Sequence, residues 1–241
     1  ESLDQVMKGL RAVGCQGLNV TIPHKKDIAA LCEERSPLAQ RLGAVNTLIP
    51  GEGGGWFGTN TDVEGFLAPI GANDTWAERH ALVIGCGGSA RAVVAGLQTL
   101  DLSSITVVGR RSEALQAFIT DLQQDKAPLT PCLDNAGQLN DAIARAALVV
   151  NTTPVGMAQH GDPEAMPLGA DIWCRLSSEA VLYDLIYTPR PTSWLAAGQQ
   201  RGHRCIDGLE MLVQQGAASL RLWSGRDDVP VEAMRSAAAT A

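Results

Sequence analysis

Ala81–Ile84 is an unbroken apolar run that ends in Gly85-Cys86-Gly87-Gly88-Ser89-Ala90, and a helical pattern over Ser89–Leu100 follows, free of Gly and Pro except at Gly96. Strand, glycine turn and helix in that order fit G-x-G-x-x-A, a dinucleotide-binding fingerprint. Each glycine has a physical task. Gly85 permits the tight turn, and Gly87 leaves no Cβ between the backbone and a pyrophosphate. The helix opening near Ser89 turns free N–H groups and its positive end toward the phosphates. A glycine triplet alone also serves ordinary turns. The strand–turn–helix context makes Gly85, Cys86, Gly87, Gly88 and Ser89 candidate cofactor-binding residues.

The next strand, Ser104–Val108, runs into Gly109-Arg110-Arg111. NAD-binding folds usually place an acid near this point, where it accepts from the ribose hydroxyls. Here there is none. A carboxylate would repel a 2′-phosphate, whereas guanidinium groups pair with it. Gly109, Arg110 and Arg111 therefore point to NADP, although a pair of surface arginines can equally be a solvated turn.

Around this unit the chain alternates β-rich runs with helical patterns, the signature of parallel βαβ units in an α/β fold. Ser112 reads as an N-cap for a helix through about Gln123. Strands are expected at Leu148–Asn151, Val181–Tyr187 and Cys205–Ile206. Helices are expected after Pro191 to about Gln200, over Gly208–Trp223 and over Pro230–Ala241. The beginning differs. Glu1–Leu10 is an amphipathic helix pattern, Gly17–Ile22, Val45–Ile49 and Trp56–Gly58 are short strands, and Lys26–Glu34 and Asp62–Ile70 are helical, with a turn at Gly71–Thr75. A domain boundary falls within 62–80.

Composition narrows the function. The chain of 241 residues is 45% hydrophobic and carries 26 acidic against 19 basic residues, a net charge of −7. It can build a sizeable core, and an acidic chain without a basic run is a poor partner for nucleic acid or an anionic membrane. No apolar stretch approaches the roughly 18–20 residues of a membrane span. Cys15, Cys32, Cys86, Cys132, Cys174 and Cys205 contain no C-x-x-C unit, and the four histidines form no ligand pair, so no metal site is expected. Widely spaced cysteines in an α/β chain are read as free buried thiols in a cytoplasmic protein.

Four polar clusters interrupt strand-like runs: Asn19-Val20-Thr21-Ile22-Pro23-His24-Lys25, Gly43-Ala44-Val45-Asn46-Thr47, Gly58-Thr59-Asn60-Thr61-Asp62 and Asn151-Thr152-Thr153-Pro154-Val155-Gly156-Met157. Polar groups at strand ends of an open α/β sheet face the ligand crevice, though each cluster singly could be a cap or an Asx turn. In order along the chain stand NVTIPHK, GAVNTL, NTD, GCGGSARA, NTTPVGM, DLIYTPRPT and DGLEMLVQQ. With these motifs, over about residues 17–225, the chain resembles the shikimate/quinate dehydrogenase family.

That resemblance implies two α/β domains around a cleft, one for substrate and one Rossmann-like for NADP. It divides the chain into a substrate domain at 1–70, a cofactor domain at 71–207 and C-terminal helices at 208–241 that return to the substrate domain. The implied reaction is reversible NADPH-dependent reduction of 3-dehydroshikimate to shikimate, in the formation of chorismate and the aromatic amino acids. Lys25 matches the catalytic lysine and Asp62 its partner. Thr21, Asn46, Tyr187 and Gln215, together with Asp62 itself, match substrate-binding positions, and Leu185 and Gly208 join the cofactor set. The chemistry is consistent: hydride addition to a ketone builds alkoxide charge, which an ammonium can neutralise or protonate. A lysine at a helix start also sits against the dipole, an independent hint that Lys25 has another task. Spacing alone separates Lys25 from Lys26 no better than it shows Lys25 meeting Asp62.

Departures matter too. Many family members carry Asn-Arg-Thr at 109–111 and Asp-Gly where Asp62-Val63 stands. The family also opens on a βα unit with an HSxSP stretch whose serines hold the substrate carboxylate, which has no match in these residues. The expectation is a substrate domain cut short, with an unpaired sheet edge, NADP binding kept and shikimate binding weakened. Two further readings stand beside the first: a quinate- or NAD-preferring enzyme, and a paralogue that binds ligand without turnover. A small-molecule partner is implied, and a homodimer is compatible with it.

Overall fold

Short strands need neighbours, and the first third of the chain supplies them from both directions. In the computed structural model, which describes residues 2–21, 23–70, 75–124, 127–133 and 136–240, this part contains α1 (Ser2–Ala12), β1 (Leu18–Asn19), α2 (Lys25–Leu31), β2 (Glu34–Arg35), α3 (Pro37–Leu42), β3 (Thr47–Pro50), β4 (Trp56–Thr59) and α4 (Asp62–Leu67), the last continued by a 3-10 turn at Ala68–Ile70. The strands form a mixed sheet in the order β1-β3-β4-β2. β3 and β4 pair antiparallel, with Thr47 opposite Thr59, and β2 lies parallel to β4. Met7, Ile28, Ala39, Val45, Leu48 and Trp56 make the core of this layer.

Next come β5 (His80–Ile84), α5 (Gly88–Leu97), β6 (Ser104–Gly109), α6 (Ser112–Leu122), β7 (Leu129–Leu133), α7 (Ala136–Arg145), β8 (Ala146–Asn151), β9 (Val181–Asp184), α8 (Ser193–Gln200), β10 (Cys205–Ile206), α9 (Leu209–Ser224) and α10 (Val231–Ala239). The six strands form an all-parallel sheet ordered β10-β9-β8-β5-β6-β7. This is the doubly wound dinucleotide-binding order, and its direction reverses between β5 and β8, where ligands of such sheets lie. Both faces are covered, so the strands read as continuous apolar runs rather than alternating ones. Ala81 and Val83 point into one core with Val107, Val150 and Tyr183. Leu82 and Ile84 point into the other with Val108, Val149 and Leu182.

The two layers are joined by packing that needs small residues. A Cβ on Gly96 of α5 would lie 2.9 Å from Phe66 of α4, and one on Gly65 of α4 would lie 2.6 Å from the Met211 carbonyl of α9. Gly96 therefore interrupts a helical pattern because α4 crosses there. The C-terminal part lies over the first sheet, where the Trp223 indole donates to the Leu48 carbonyl at 3.1 Å.

Several expectations shift. Ser112 is the first helical residue of α6 and makes no cap; Arg111 occupies the cap position, extended. The strand expected to reach Tyr187 ends at Asp184, and the helix expected through Glu34 ends at Leu31, because Glu34 and Arg35 pair with β4. The turn expected at Gly71–Thr75 lies mostly outside the described residues. The cysteines form no disulfide, yet Cys132 alone is buried, while Cys174 is exposed at the end of a 3-10 helix over Ala170–Cys174. Among the described residues no helix is long and apolar enough to cross a membrane.

Candidate active site

Gly85 follows β5 with φ +105, a left-handed conformation that favours glycine, and a Cβ there would lie 2.6 Å from Thr152 Oγ1, just beyond β8. The Thr152 hydroxyl in turn donates to the Ile84 carbonyl at 2.7 Å. The reversal point of the sheet is thus closed tightly beneath the turn. Gly87 precedes α5 in extended conformation, and a Cβ on it would meet nothing within 4 Å. The turn is open above and packed below. Gly88 and Ser89 form the first turn of α5, whose free N–H groups face that opening. Cys86 packs back against the end of β6, its Sγ 3.4 Å from where a Gly109 Cβ would stand. Arg110 and Arg111 follow, both exposed, and among the described residues neither makes an ion pair or side-chain hydrogen bond. On the other side, Gly208 packs so closely on the Leu185 carbonyl that no Cβ fits, and its N–H donates to the Ile186 carbonyl at 3.0 Å.

The second half of the site comes from the mixed sheet. Lys25 is the first residue of α2 and Asp62 the first of α4. Lys25 Nζ donates to Asp62 Oδ2 at 2.7 Å, with both side chains almost wholly buried. Asp62 Oδ1 accepts from Asn46 Nδ2 at 2.8 Å, and the same amide lies 3.3 Å from Gln215 Oε1 of α9. Asn46 Oδ1 accepts from the Thr61 N–H at 2.8 Å and from the Thr47 hydroxyl at 2.9 Å. Asn60 Oδ1 accepts from the Asp62 N–H at 3.0 Å and fixes the start of α4. Ser219 and Asn19 close the back of the network: Asn19 Nδ2 donates to Ser219 Oγ at 2.9 Å, and Ser219 Oγ lies 2.9 Å from Thr47 Oγ1.

A buried ion pair is weak support for stability, since desolvation takes back most of the Coulomb gain. Its place explains it better. A Cβ on Gly88 would lie 3.7 Å from Lys25 Cβ, so the lysine stem lies directly against the first turn of the glycine loop. A donor cation, an orienting carboxylate and a set of amides and hydroxyls therefore converge where the sheet reverses. That arrangement can deliver a proton to an oxygen held against the nicotinamide end of a dinucleotide.

Known proteins share much of this sequence and fold. Residues 1–48 match the family model described as "Shikimate dehydrogenase substrate binding domain", and residues 208–239 match "Shikimate 5'-dehydrogenase C-terminal domain". The Shikimate dehydrogenase (NADP(+)) of Synechocystis sp. is 47% identical over 238 residues, 98% of this chain and 81% of that protein. The enzyme of the same name from Prochlorococcus marinus (strain MIT 9515) is 40% identical over 237 residues, 98% of this chain and 82% of that one. The chain belongs to the shikimate dehydrogenase family. Its fold agrees with the crystal structure of shikimate 5-dehydrogenase from Thermus thermophilus in complex with NADP(H) and shikimate. The TM-score is 0.81 at 34% identity, covering 98% of this chain and 82% of that one.

Not every expected site residue meets the network. Thr21 and Tyr187 are exposed, Tyr187 in the loop beyond β9, and neither side chain hydrogen-bonds to Lys25, Asp62 or Asn46. Conversely, the sequence marks none of Thr47, Asn60, Thr61 and Ser219 as a site residue, although three of these lie inside its polar clusters and Asn60–Asp62 reads as a helix N-terminus, which the Asn60 bond to the Asp62 N–H bears out. Nor does it mark Asp184, which is wholly buried at the end of β9. Asp184 Oδ1 accepts from Asn151 Nδ2 at 3.0 Å and from the Ile186 N–H at 3.1 Å, while Oδ2 accepts from Thr192 Oγ1 at 2.9 Å. Burial pushes its carboxyl up to about 6, against the pull of those three donors. The signal was available: an acid at a strand end between apolar runs, followed by a proline-rich loop. Among the described residues no cluster fit to hold a metal occurs.

Proposed function

We propose that this chain catalyses the reversible NADPH-dependent reduction of 3-dehydroshikimate to shikimate, with Lys25 as proton donor and Asp62 as the group that orients it. The observation that carries the reading is the buried Lys25–Asp62 pair at 2.7 Å, with the lysine stem packed on Gly88 of the dinucleotide turn.

The crevice suits a dinucleotide. The space over Gly87 is open, the first turn of α5 presents unpaired N–H groups, and Arg110 and Arg111 stand exposed at the end of β6. Gly85, Cys86, Gly87, Gly88 and Ser89 would hold the pyrophosphate, Gly109, Arg110 and Arg111 the adenosine 2′-phosphate, and Leu185 and Gly208 the nicotinamide end. The bound cofactor supplies or accepts the hydride. The residues do the rest. Lys25 Nζ gives its proton to the carbonyl oxygen as it becomes a hydroxyl, and takes it back in the oxidation direction. Asp62 holds the ammonium by one oxygen and is itself held by Asn46 through the other. Asn46, Gln215, Thr21 and Tyr187 meet the substrate's hydroxyls, which need amide and hydroxyl partners.

The same reading divides the chain into a substrate domain at 1–70, a cofactor domain at 71–207 and returning helices at 208–241. It includes a cytoplasmic location and a homodimer, the latter checked by sedimentation. The decisive test is NADP+ reduction in the presence of shikimate, with quinate and NAD+ as comparisons. Turnover with shikimate and NADP+ supports the reading. Binding of both ligands without turnover overturns it in favour of a ligand-binding paralogue.

A further inference from the structure

One residue of the GCGGSARA motif plays no part in the chemistry above. Arg91 lies in the first turns of α5, three positions after Gly88, and is 4% exposed. Its guanidinium does not face solvent or the cofactor opening. Nη1 donates to the Leu42 carbonyl at the end of α3, at 2.9 Å, and Nη2 pairs with Asp121 of α6. The guanidinium carbon lies 5.5 Å from the Phe118 ring centroid. Nε finds no partner among the described residues. A buried cation with one donor unpaired is a costly way to join two helices.

What it joins is informative. α3 ends at Leu42, and its carboxyl end is the negative end of the helix, where a cation is favoured. Gly43 turns the chain in left-handed conformation, with room for its Cβ 3.6 Å from Arg91 Nη1. Two residues on, the Val45 N–H donates to the Lys25 carbonyl at 2.9 Å. The next residue is Asn46, which holds Asp62. A short bonded path thus runs from the helix whose N-terminus faces the cofactor crevice to the carbonyl of Lys25 and the partner of Asp62.

We propose that Arg91 is a positioning residue that couples the two ligand sites. Dinucleotide on the first turn of α5 sets Arg91. Arg91 sets the end of α3, and the segment 42–46 sets Lys25 and Asn46. The inference rests on the NADP and shikimate reading of the site. Because binding linkage is reciprocal, each ligand should tighten the other by the same factor, about fivefold or more in the unmodified chain.

The test is a binding square by calorimetry: NADP+ alone, shikimate alone, and each in the presence of the other, with steady-state kinetics alongside. In Arg91→Met the mutual factor falls to nearly one, the two single-ligand affinities change by less than about threefold, and kcat falls about tenfold. Arg91→Lys, which keeps a cation able to reach the Leu42 carbonyl, recovers most of the factor. A merely structural arginine would lower the melting temperature of the variants and leave the factor in place. Asp121→Asn serves if Arg91→Met does not fold: it keeps the guanidinium, removes the half-exposed anion, and should lower the factor at least about twofold. No coupling in the unmodified chain overturns the proposal, as does full coupling in Arg91→Met or, where that variant does not fold, in Asp121→Asn. If the unmodified chain binds neither ligand, the functional reading itself fails and takes the coupling with it.

Discussion

Lys25 Nζ and Asp62 Oδ2 are 2.7 Å apart across 37 positions of sequence, each at the first residue of its own helix. A carboxylate is at home at a helix N-terminus and an ammonium is not. Asp62 therefore gains from both the dipole and the lysine, while Lys25 depends on Asp62 alone. Replacing the two residues should have unequal consequences. Lys25→Ala should lower kcat by about 10²–10⁴, the usual scale for losing a general acid, with NADP+ affinity nearly kept. Asp62→Asn keeps an acceptor for Asn46 and should lose less. Steady-state rates with a separate NADP+ titration check this, and unchanged turnover in Lys25→Ala would remove the lysine from the mechanism.

Arg110 and Arg111 are exposed at the end of β6 without partners among the described residues, available to an anion. Arg110→Ala should raise KM for NADPH about tenfold or more and leave NADH nearly unchanged, since a charge-assisted bond to the 2′-phosphate is lost in one case only. Equal losses for both cofactors would contradict the assignment.

Gly65 stands where α4 crosses α9. A Cβ there would lie 2.9 Å from Gln215 Cβ and closer still to the Met211 carbonyl. Gly65→Ala should destabilise by about 1–3 kcal/mol, the range for overpacking. It should also raise KM for shikimate by moving Gln215 off Asn46. Thermal unfolding and KM measured on the same preparation test both halves.

Asp184 ties the ends of β8 and β9 to Thr192, and burial raises its carboxyl to about 6. In an unfolded chain an aspartate titrates near 3.9. Between roughly pH 4 and 6 the folded state therefore holds the proton more tightly, and its stability falls as pH rises through that window. Asp184→Asn lacks this titration. The variant should gain on the parent by on the order of 2 kcal/mol from pH 4 to pH 6.5. Denaturant unfolding at both pH values measures it, and a pH-independent difference would argue against the raised carboxyl.

Much of the cofactor half was legible along the chain because its determinants are local. The β5 run, Gly85 and the start of α5 are consecutive, and the turn they form is dictated by backbone freedom and helix-end chemistry within a few residues. Elements escaped where local signals were weak or conflicting. β7 contains Pro131, which a central strand would not accept, yet β7 is an edge strand with room for it. β2 is two residues long and exists only because β4 runs beside it. α3 carries a Ser36 cap, Pro37 in its first turn and Gly43 at its end, a local signature of a short helix.

The substrate half divides differently. Sequence alone determined which residue types are present, that they sit at strand and helix ends, and the family to which their order belongs. Only the tertiary structure decided which of them meet. Lys25 rather than Lys26 turns inward, because α2 buries the face carrying Lys25, Ile28 and Ala29. Gln215, on the helix stripe with Met211 and Leu212, becomes a partner of Asn46 because two glycine-tight crossings bring α9 down on α4 and α4 onto α5. Arg91 joins the layers for the same reason. Such pairings depend on how helices pack across two sheets, and no local rule of periodicity, capping or turn chemistry reaches that far.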